Sequence, residues 1–367
     1  MSWIMTIRPK NTRVQGVVTP WWVGSGEGKA LPSFPVNNSA HQRGGALMLV
    51  LVLMSVLSMV AIESLRRAQI EVESAGTYLG GVQCRELCES GLRLAALLLE
   101  RDMDLNDYDA PTDLWVTFFE DEDAKKALNF QTGVLRVEIS PEDGRFPLSA
   151  MTAETGRQVM QRLLVGPPYN LEQESAARLV TAMRDWIDTD EEGEFEKPLY
   201  VAQEVAYRPR NAAMASLDEL LLVRGMPREL FYGGQGVPGL RDLLTVHGSK
   251  VNINTAPALV LMALCPDDVS RATAANLAQD MLAFRASQDN AGLLNKTDWY
   301  KTALSGYEQV TLQQELLSVS SDVFQVFVTA EAGAVQRSLR AVLRRTAGQA
   351  DPQKPVSRVS LERKVLG

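Results

Sequence analysis

The chain has 367 residues, of which 46% are hydrophobic and 22% are charged, and its formal net charge is -8. This length suffices for one large domain or for two of ordinary size. The first 44 residues hold five basic side chains and one acidic one, so the rest of the chain carries a net charge of -12. An acidic balance of this size argues against nucleic acid as the main partner.

Few residues are suited to nucleophilic or general-base catalysis. The sequence contains two histidines, and His41 lies in an N-terminal segment that we expect to be removed, which leaves His247. No Gly-x-Ser-x-Gly motif occurs. Two carboxylates for glycoside hydrolysis could come from many places in so acidic a chain, and composition does not exclude them. We nevertheless predict that the protein is not an enzyme.

The three cysteines do not form a complete disulfide framework, because their number is odd. Cys84 and Cys88 are four residues apart on a predicted helix, a spacing that fits disulfide geometry poorly. We therefore expect them to be small apolar packing residues.

An uncharged apolar segment extends from Gly45 to Ile62. As a helix it is about 27 Å long, just enough to cross the apolar core of a membrane. Apolar residues then recur every three or four positions to about Arg101, so the same helix should continue as a stem over 63–103. A cleaved secretory signal is disfavoured because the run is too long, whereas an ordinary single-pass anchor remains an alternative.

Arg43 and Gly44 lie directly before this apolar helix, and Gly45 is its first residue. The junction resembles the type III signal of prepilins and pseudopilins. The resemblance implies cleavage by a prepilin peptidase on the cytoplasmic side, after Gly44 or alternatively after Gly45, and methylation of the new N-terminus. The leader peptide would cover residues 1–44, which is long for this family, so a start codon assigned too far upstream is an equal alternative.

The fifth residue after the cut departs from the usual pseudopilin pattern. Most pseudopilins have a glutamate there, and this chain has Leu49, or Val50 for the second cut. A carboxylate in the membrane costs about 2.5–3.5 kcal/mol on insertion scales, so it persists only with a partner. In the family that partner is the amino terminus of a neighbouring subunit. A subunit without the acid suits the end of a filament.

Four stretches after the stem carry a closer resemblance: 143–151, 184–200, 207–226 and 251–264. In order and character they resemble the K-type minor pseudopilin of type II secretion systems. The resemblance implies a single-pass inner-membrane protein with a periplasmic head, which caps the pseudopilus tip and helps to initiate its assembly for export of folded proteins. The implied partners are the minor pseudopilins I and J, the major pseudopilin, the prepilin peptidase and the inner-membrane assembly platform.

Strands are predicted at both ends of the head. β-Branched and aromatic residues favour strands over 114–119 and 133–140, and a further pair over 324–345 that turns at Ala332-Gly333. The composition of the tail, 346–367, predicts disorder.

Helical periodicity dominates the region between these strands, residues 152–315. The sequence therefore predicts an α+β fold. It combines the long N-terminal transmembrane stem helix with a small pseudopilin-type antiparallel β-sheet and a large inserted all-α domain. The two parts of the sheet domain, 104–151 and 316–345, flank the insertion.

Seven acids lie within residues 185–196, where they would repel one another without a cation. The segment from Asp188 to Gly193 matches the opening of a calcium loop, with oxygen ligands at alternate positions and a glycine for the turn. Leu199 stands where an EF-hand has its bidentate glutamate, so a full EF-hand is excluded. From the residues alone, a solvated acidic loop is the favoured interpretation.

The family resemblance implies that this loop binds Ca²⁺. We predict Asp188, Asp190 and Glu192 as ligands, with Glu194 and Glu196 in reserve. Asp185 is less favoured because it falls in a predicted helix.

A single-pass inner-membrane DNA-uptake or DNA-binding protein is the alternative function. Short helices around Asn-Ile-Asn-Thr-Ala, 252–256, resemble helix-hairpin-helix units. A phosphate-binding hairpin needs a small glycine turn and basic residues. The corresponding turn here, 265–270, contains two acids instead.

Overall fold

The computed structural model describes residues 42–202, 206–346 and 359–367, with the backbone alone for 42–44. Nearly all of the predicted leader lies outside the described residues. The chain divides into two compact units, Met1–Ala68 and Gln69–Gly367. Helix α1 (Gln42–Asp102) confirms the predicted long N-terminal helix.

In the first unit, the large hydrophobic side chains of α1 between Leu47 and Ile62 are all exposed. The mean hydropathy of the most apolar stretch is 2.6, so the helix is long and apolar enough to cross a membrane. These properties are those of a single-pass membrane anchor.

In the second unit, short helices follow the end of α1. The α-helices after α1 are α2 (Leu114–Glu120), α3 (Glu122–Ala127), α4 (Glu154–Val165), α5 (Gln173–Ile187), α6 (Lys197–Val201), α7 (Arg228–Tyr232), α8 (Leu240–Leu243), α9 (Ala258–Leu264), α10 (Arg271–Arg285) and α11 (Trp299–Ala303). Single 3₁₀ turns occupy Leu148–Thr152, Leu217–Leu222, Gln288–Leu293 and Gln314–Leu316.

The described strands form one main sheet and three minor pairs. The strands are β1 (Asn129–Phe130), β2 (Gly133–Pro141), β3 (Phe146–Pro147), β4 (Gly233–Gly234), β5 (Val237–Pro238), β6 (Leu244–Thr245), β7 (Val251–Asn252), β8 (Leu317–Ser318), β9 (Val323–Ala332), β10 (Val335–Arg345) and β11 (Val359–Leu366). The main sheet is antiparallel, in the order β1-β2-β9-β10-β11. The predicted strands over 133–140 and 324–345 are confirmed.

The C-terminal part of α1 packs against the main sheet and completes a core. Gly91 makes the close approach possible, since a Cβ there would lie 2.7 Å from Cγ1 of Val328. Cys84 and Cys88 are fully buried in this core and are free thiols, as expected for small packing residues.

Residues 114–119 were expected to form a strand, and that prediction is wrong. The segment is helix α2, whose buried Trp115 packs edge-on against Phe324, with 5.7 Å between ring centroids. Aromatic and β-branched residues favour strands only when a sheet edge is available for pairing. Here the segment forms a helix, and the ring of Trp115 on that helix is buried in the core beneath the main sheet.

The prediction of a disordered tail over 346–367 is also wrong for its last part. Residues 347–358 lie outside the described segments, but β11 pairs antiparallel with β10 along its length. Val359 is buried, whereas the rest of the strand is exposed. Backbone pairing, with little side-chain burial, therefore holds this strand.

A helical region is inserted between β2 and β9. It has its own hydrophobic core, which includes Trp186, Tyr200 and Trp299 and is separate from the core beneath the main sheet. The α+β fold with a helical insertion is thus confirmed. Within 152–315, where helical periodicity predicted mostly helix, the stretch 216–226 contains only the 3₁₀ turn Leu217–Leu222.

Candidate functional site

The acidic loop connects α5 to α6 in the inserted domain. It is anchored below by an aromatic cluster in which the rings of Trp186 and Tyr200 meet edge-on, with 5.4 Å between centroids. Phe195, within the loop, is buried in the same core. Its backbone N–H donates to Oδ2 of the fully buried Asp185 over 3.0 Å. These contacts fix the path of the loop from both ends.

Gly193 is required by a close approach. A Cβ at this position would lie 2.4 Å from Oδ2 of Asp185, so any side chain would force the loop away from α5. The sequence predicted a glycine for a sharp turn here. In the structure, the reason for glycine is the carboxylate packed against its backbone.

Three carboxylates converge in the loop. Asp188, Asp190 and Glu196 each offer an oxygen within 4.8 Å of the other two. Glu192 and Glu194 are not brought into this group. The Glu194 carboxylate instead lies 3.6 Å from Nη2 of Arg178. Of the three ligands predicted first, Asp188 and Asp190 thus lie together, and Glu196, predicted as a reserve ligand, joins them.

Four buried oxygens on these elements have no hydrogen-bond partner within the described parts of the chain. They are Oδ1 of Asp185, Oδ1 of Asp188, Oε1 of Glu196 and Oδ1 of Asn211. Buried polar atoms are normally paired, because leaving one unpaired costs about 1–3 kcal/mol. Carboxylate and amide oxygens of this kind can coordinate a cation or accept hydrogen bonds from water.

Asn211 was not anticipated from the sequence. Its backbone N–H donates to the carbonyl of Trp186 over 3.1 Å, and its Nδ2 lies 3.4 Å from Oε2 of Glu196. Its φ of 46° lies in the left-handed region, which asparagine tolerates better than most residues. A lone asparagine in a loop distant along the chain carries no sequence signal for this role.

The electrostatics of the group favour a bound cation. Burial raises the pKa of Asp188, although Nε of Arg184 donates to its Oδ2 over 3.0 Å. Burial also raises the pKa of Glu196, and the hydrogen bond from Asn211 only partly opposes this. Carboxylate and amide oxygens are the ligands that Ca²⁺ prefers. The residues present therefore fit the predicted calcium ion.

Gly44 and Gly45, the predicted cleavage positions, both lie within α1. Cleavage itself stays a prediction.

The helix pair α9 and α10, which resembles a DNA-binding hairpin in sequence, presents little positive charge. Arg285 of α10 is buried, and its guanidinium donates to the carbonyls of Ile253 and Ala256 over 2.7 Å each. In the turn before α10, the carboxylate of Asp267 pairs with Nη1 of Arg162 at 3.3 Å. These contacts do not favour phosphate binding.

Comparison with known families identifies both halves of the insertion. Residues 144–232 and residues 251–320 match two family models, each described as type II secretion system (T2SS), protein K.

Curated relatives of the chain carry the name type II secretion system protein K. One from Klebsiella pneumoniae is 28% identical over 281 residues, which cover 70% of this chain and 82% of that protein. One from Pseudomonas aeruginosa is 26% identical over 254 residues, covering 63% and 70% of the two chains. One from Pectobacterium carotovorum is 27% identical over 236 residues, covering 59% and 67%.

A solved structure shares the fold. It is the crystal structure of the GspK-GspI-GspJ complex from the type 2 secretion system of enterotoxigenic Escherichia coli. The match has a TM-score of 0.53 and 18% sequence identity, and it covers 82% of this chain and 99% of the other.

Proposed function

Because the chain belongs to the type II secretion system protein K family, we propose that it is the minor pseudopilin that caps the pseudopilus tip and helps to initiate pseudopilus assembly. The filament would export folded proteins across the outer membrane. The stem would be anchored in the inner membrane with the head in the periplasm. The protein's role is assembly and not catalysis.

The helical insertion is the main support for placing this subunit at the tip of the pseudopilus. It enters the sheet domain between Pro141 and Val323 and folds around its own core. A folded domain attached to one end of a pseudopilin sheet occupies the space that a further subunit would need above it. Leu49, in place of the usual acid, removes the contact by which a subunit would join another inside the membrane.

The stem offers a seam for neighbouring helices. Four exposed apolar residues lie alternately three and four positions apart on α1: Val72, Ala75, Leu79 and Val82. This is the a/d spacing by which helices pack together in coiled coils. Outside the membrane such a stripe gains stability only against a partner. We propose that the stems of minor pseudopilins I and J cover it.

The acidic loop is proposed to bind Ca²⁺ through Asp188, Asp190 and Glu196, with Asn211 and Asp185 supplying further oxygens. The ion would tie the loop to the aromatic cluster around Trp186. It would thus stabilise the outer surface of the insertion in the periplasm.

Cross-linking tests the tip position. A photo-reactive residue at Leu79 should cross-link to pseudopilin stems in assembled pseudopili, whereas one at Thr77, on the opposite side of the helix, should do so far less.

A photo-reactive residue at Glu172, exposed on the insertion, should give no product with the major pseudopilin. Products joining Glu172 to the major pseudopilin would place subunits above the head and refute the cap.

A further inference from the structure

A second acidic loop, Asp102–Asp113, connects the end of α1 to the start of α2. Its twelve residues, DMDLNDYDAPTD, have oxygen-bearing side chains at the first, third, fifth and twelfth positions: Asp102, Asp104, Asn106 and Asp113. These are positions from which an EF-hand loop coordinates Ca²⁺. Two positions depart from that pattern, since Asp107 replaces the glycine and Asp113 replaces the final glutamate.

The structure gathers three carboxylates of this loop in the protein interior. Asp102, Asp109 and Asp113 each offer an oxygen within 4.8 Å of the other two. Their exposed fractions are 1%, 0% and 4%. Burial this deep normally requires each ionised group to be paired.

Among the described residues, one guanidinium pairs with two of these acids. Nη2 of Arg345 bonds to both oxygens of Asp109, and its Nη1 lies 3.4 Å from Oδ2 of Asp102. The backbone N–H of Ser321 also donates to Asp109 over 2.6 Å. Asp109 is therefore fully paired.

The negative charge of Asp113 and the Oδ1 atom of Asp102 have no positively charged partner of this kind within the described residues. Among the described residues, the hydrogen bonds to Asp113 come from neutral donors, the backbone N–H of Ala110 at 2.7 Å and Nδ2 of Asn106 at 3.3 Å. Oδ1 of Asp102 is buried and has no hydrogen-bond partner within the described ranges. Within the described parts of the chain, three carboxylates against one guanidinium leave an excess of two negative charges, which equals the charge of one divalent cation.

We propose that the loop Asp102–Asp113 binds a hard divalent cation, for which Ca²⁺ is the probe, through the carboxylates of Asp102 and Asp113. The site is separate from the acidic loop of the insertion and does not depend on the tip position. It joins the end of the stem helix to Arg345 at the end of β10 and to Ala110, which packs in the core of the insertion. A cation here would hold the stem, the sheet and the insertion together at their junction.

The test uses the full chain in detergent, in the Asp188→Asn background, so that the proposed calcium ligand of the insertion is absent. Thermal unfolding is measured in EDTA and in CaCl₂, and calcium binding is measured by calorimetry. The parent should unfold at a higher temperature in CaCl₂. Adding Asp113→Asn should weaken calcium binding by about tenfold or more, because a ligand charge is lost, and should abolish the calcium-dependent rise.

The same substitution should leave the unfolding temperature in EDTA unchanged or higher, because it removes one negative charge from a buried group that has an excess of them. Asp102→Asn should reproduce the loss of binding if the first variant does not fold. Glu120→Gln, an exposed acid at the end of α2, is the matched control and should change neither value. Absence of a calcium effect in the parent, or its survival in both loop variants, would overturn the proposal.

Discussion

Replacing Arg345 with glutamine is expected to destabilise the folded head by about 3–5 kcal/mol at pH 8 in EDTA, because it leaves buried carboxylates without their cation. The guanidinium is buried, pairs with Asp102 and Asp109, and lies over the ring of Phe324 with 4.5 Å between its carbon and the centroid. Chemical denaturation of the full chain in detergent measures the loss.

Arg337→Gln is the matched control, since Arg337 lies on the same strand and is exposed. Its expected effect is within about 0.5 kcal/mol. Equal effects of the two substitutions would show that the buried pairing contributes nothing particular to stability.

The loss of unfolding free energy caused by Arg345→Gln should also be smaller at pH 5 than at pH 8. Burial raises the pKa of Asp102 to about 7 and that of Asp113 to about 6, and it raises that of Asp109 as well. A carboxyl group whose pKa is higher in the folded state takes up its proton there first, so stability falls as pH rises through the window from about 4 to about 7. Removing the guanidinium leaves more charge for protonation to neutralise. A deficit that does not vary with pH would contradict this account.

Asp188→Asn is expected to remove the calcium-dependent stabilisation that the acidic loop of the insertion supplies. At a free calcium concentration 100-fold above the dissociation constant of the loop, that stabilisation is about 2.7 kcal/mol. Asparagine keeps the shape and one oxygen of the side chain but removes the charge that the ion requires. The difference in unfolding free energy between CaCl₂ and EDTA, measured for both proteins, gives the result.

Glu192→Gln separates the ligand group from general acidity. Glu192 belongs to the same loop and was predicted as a ligand, but it lies outside the group formed by Asp188, Asp190 and Glu196. It should retain the calcium effect. A loss equal to that of Asp188→Asn would mean that the loop attracts calcium diffusely and that the convergent carboxylates have no special role.

Features determined by local periodicity could be predicted from the sequence. The stem helix, the strands β9 and β10 with their glycine turn, and helices α4, α5 and α10 all have patterns contained within one element. The short segment at 114–119 could not be assigned this way, because six apolar-rich residues fit a helix and a strand equally well. Trp115 packs against Phe324, more than 200 residues away, and local periodicity does not show such a contact.

Long-range pairing accounts for the other failures. The strand β11 is held by the backbone of β10, and little in its composition marks it as ordered. In the acidic loop, the sequence shows seven acids but not which of them converge. The fold selects Glu196 over Glu192 and adds Asn211 from a separate loop. The spacing of acids in Asp102–Asp113 is visible in the sequence, but a domain boundary placed at residue 103 divides it.

The central claim, that the chain is a pseudopilin, is tested most directly by sequencing the N-terminus of the membrane-bound protein produced with and without prepilin peptidase. With the peptidase, the mature chain should begin at Gly45, or at Ala46 if the cut follows Gly45, and Gly44→Val should block cleavage after residue 44. Without the peptidase, the leader should remain. A protein that keeps Met1 in the presence of active peptidase would be an ordinary single-pass anchor and would contradict the account.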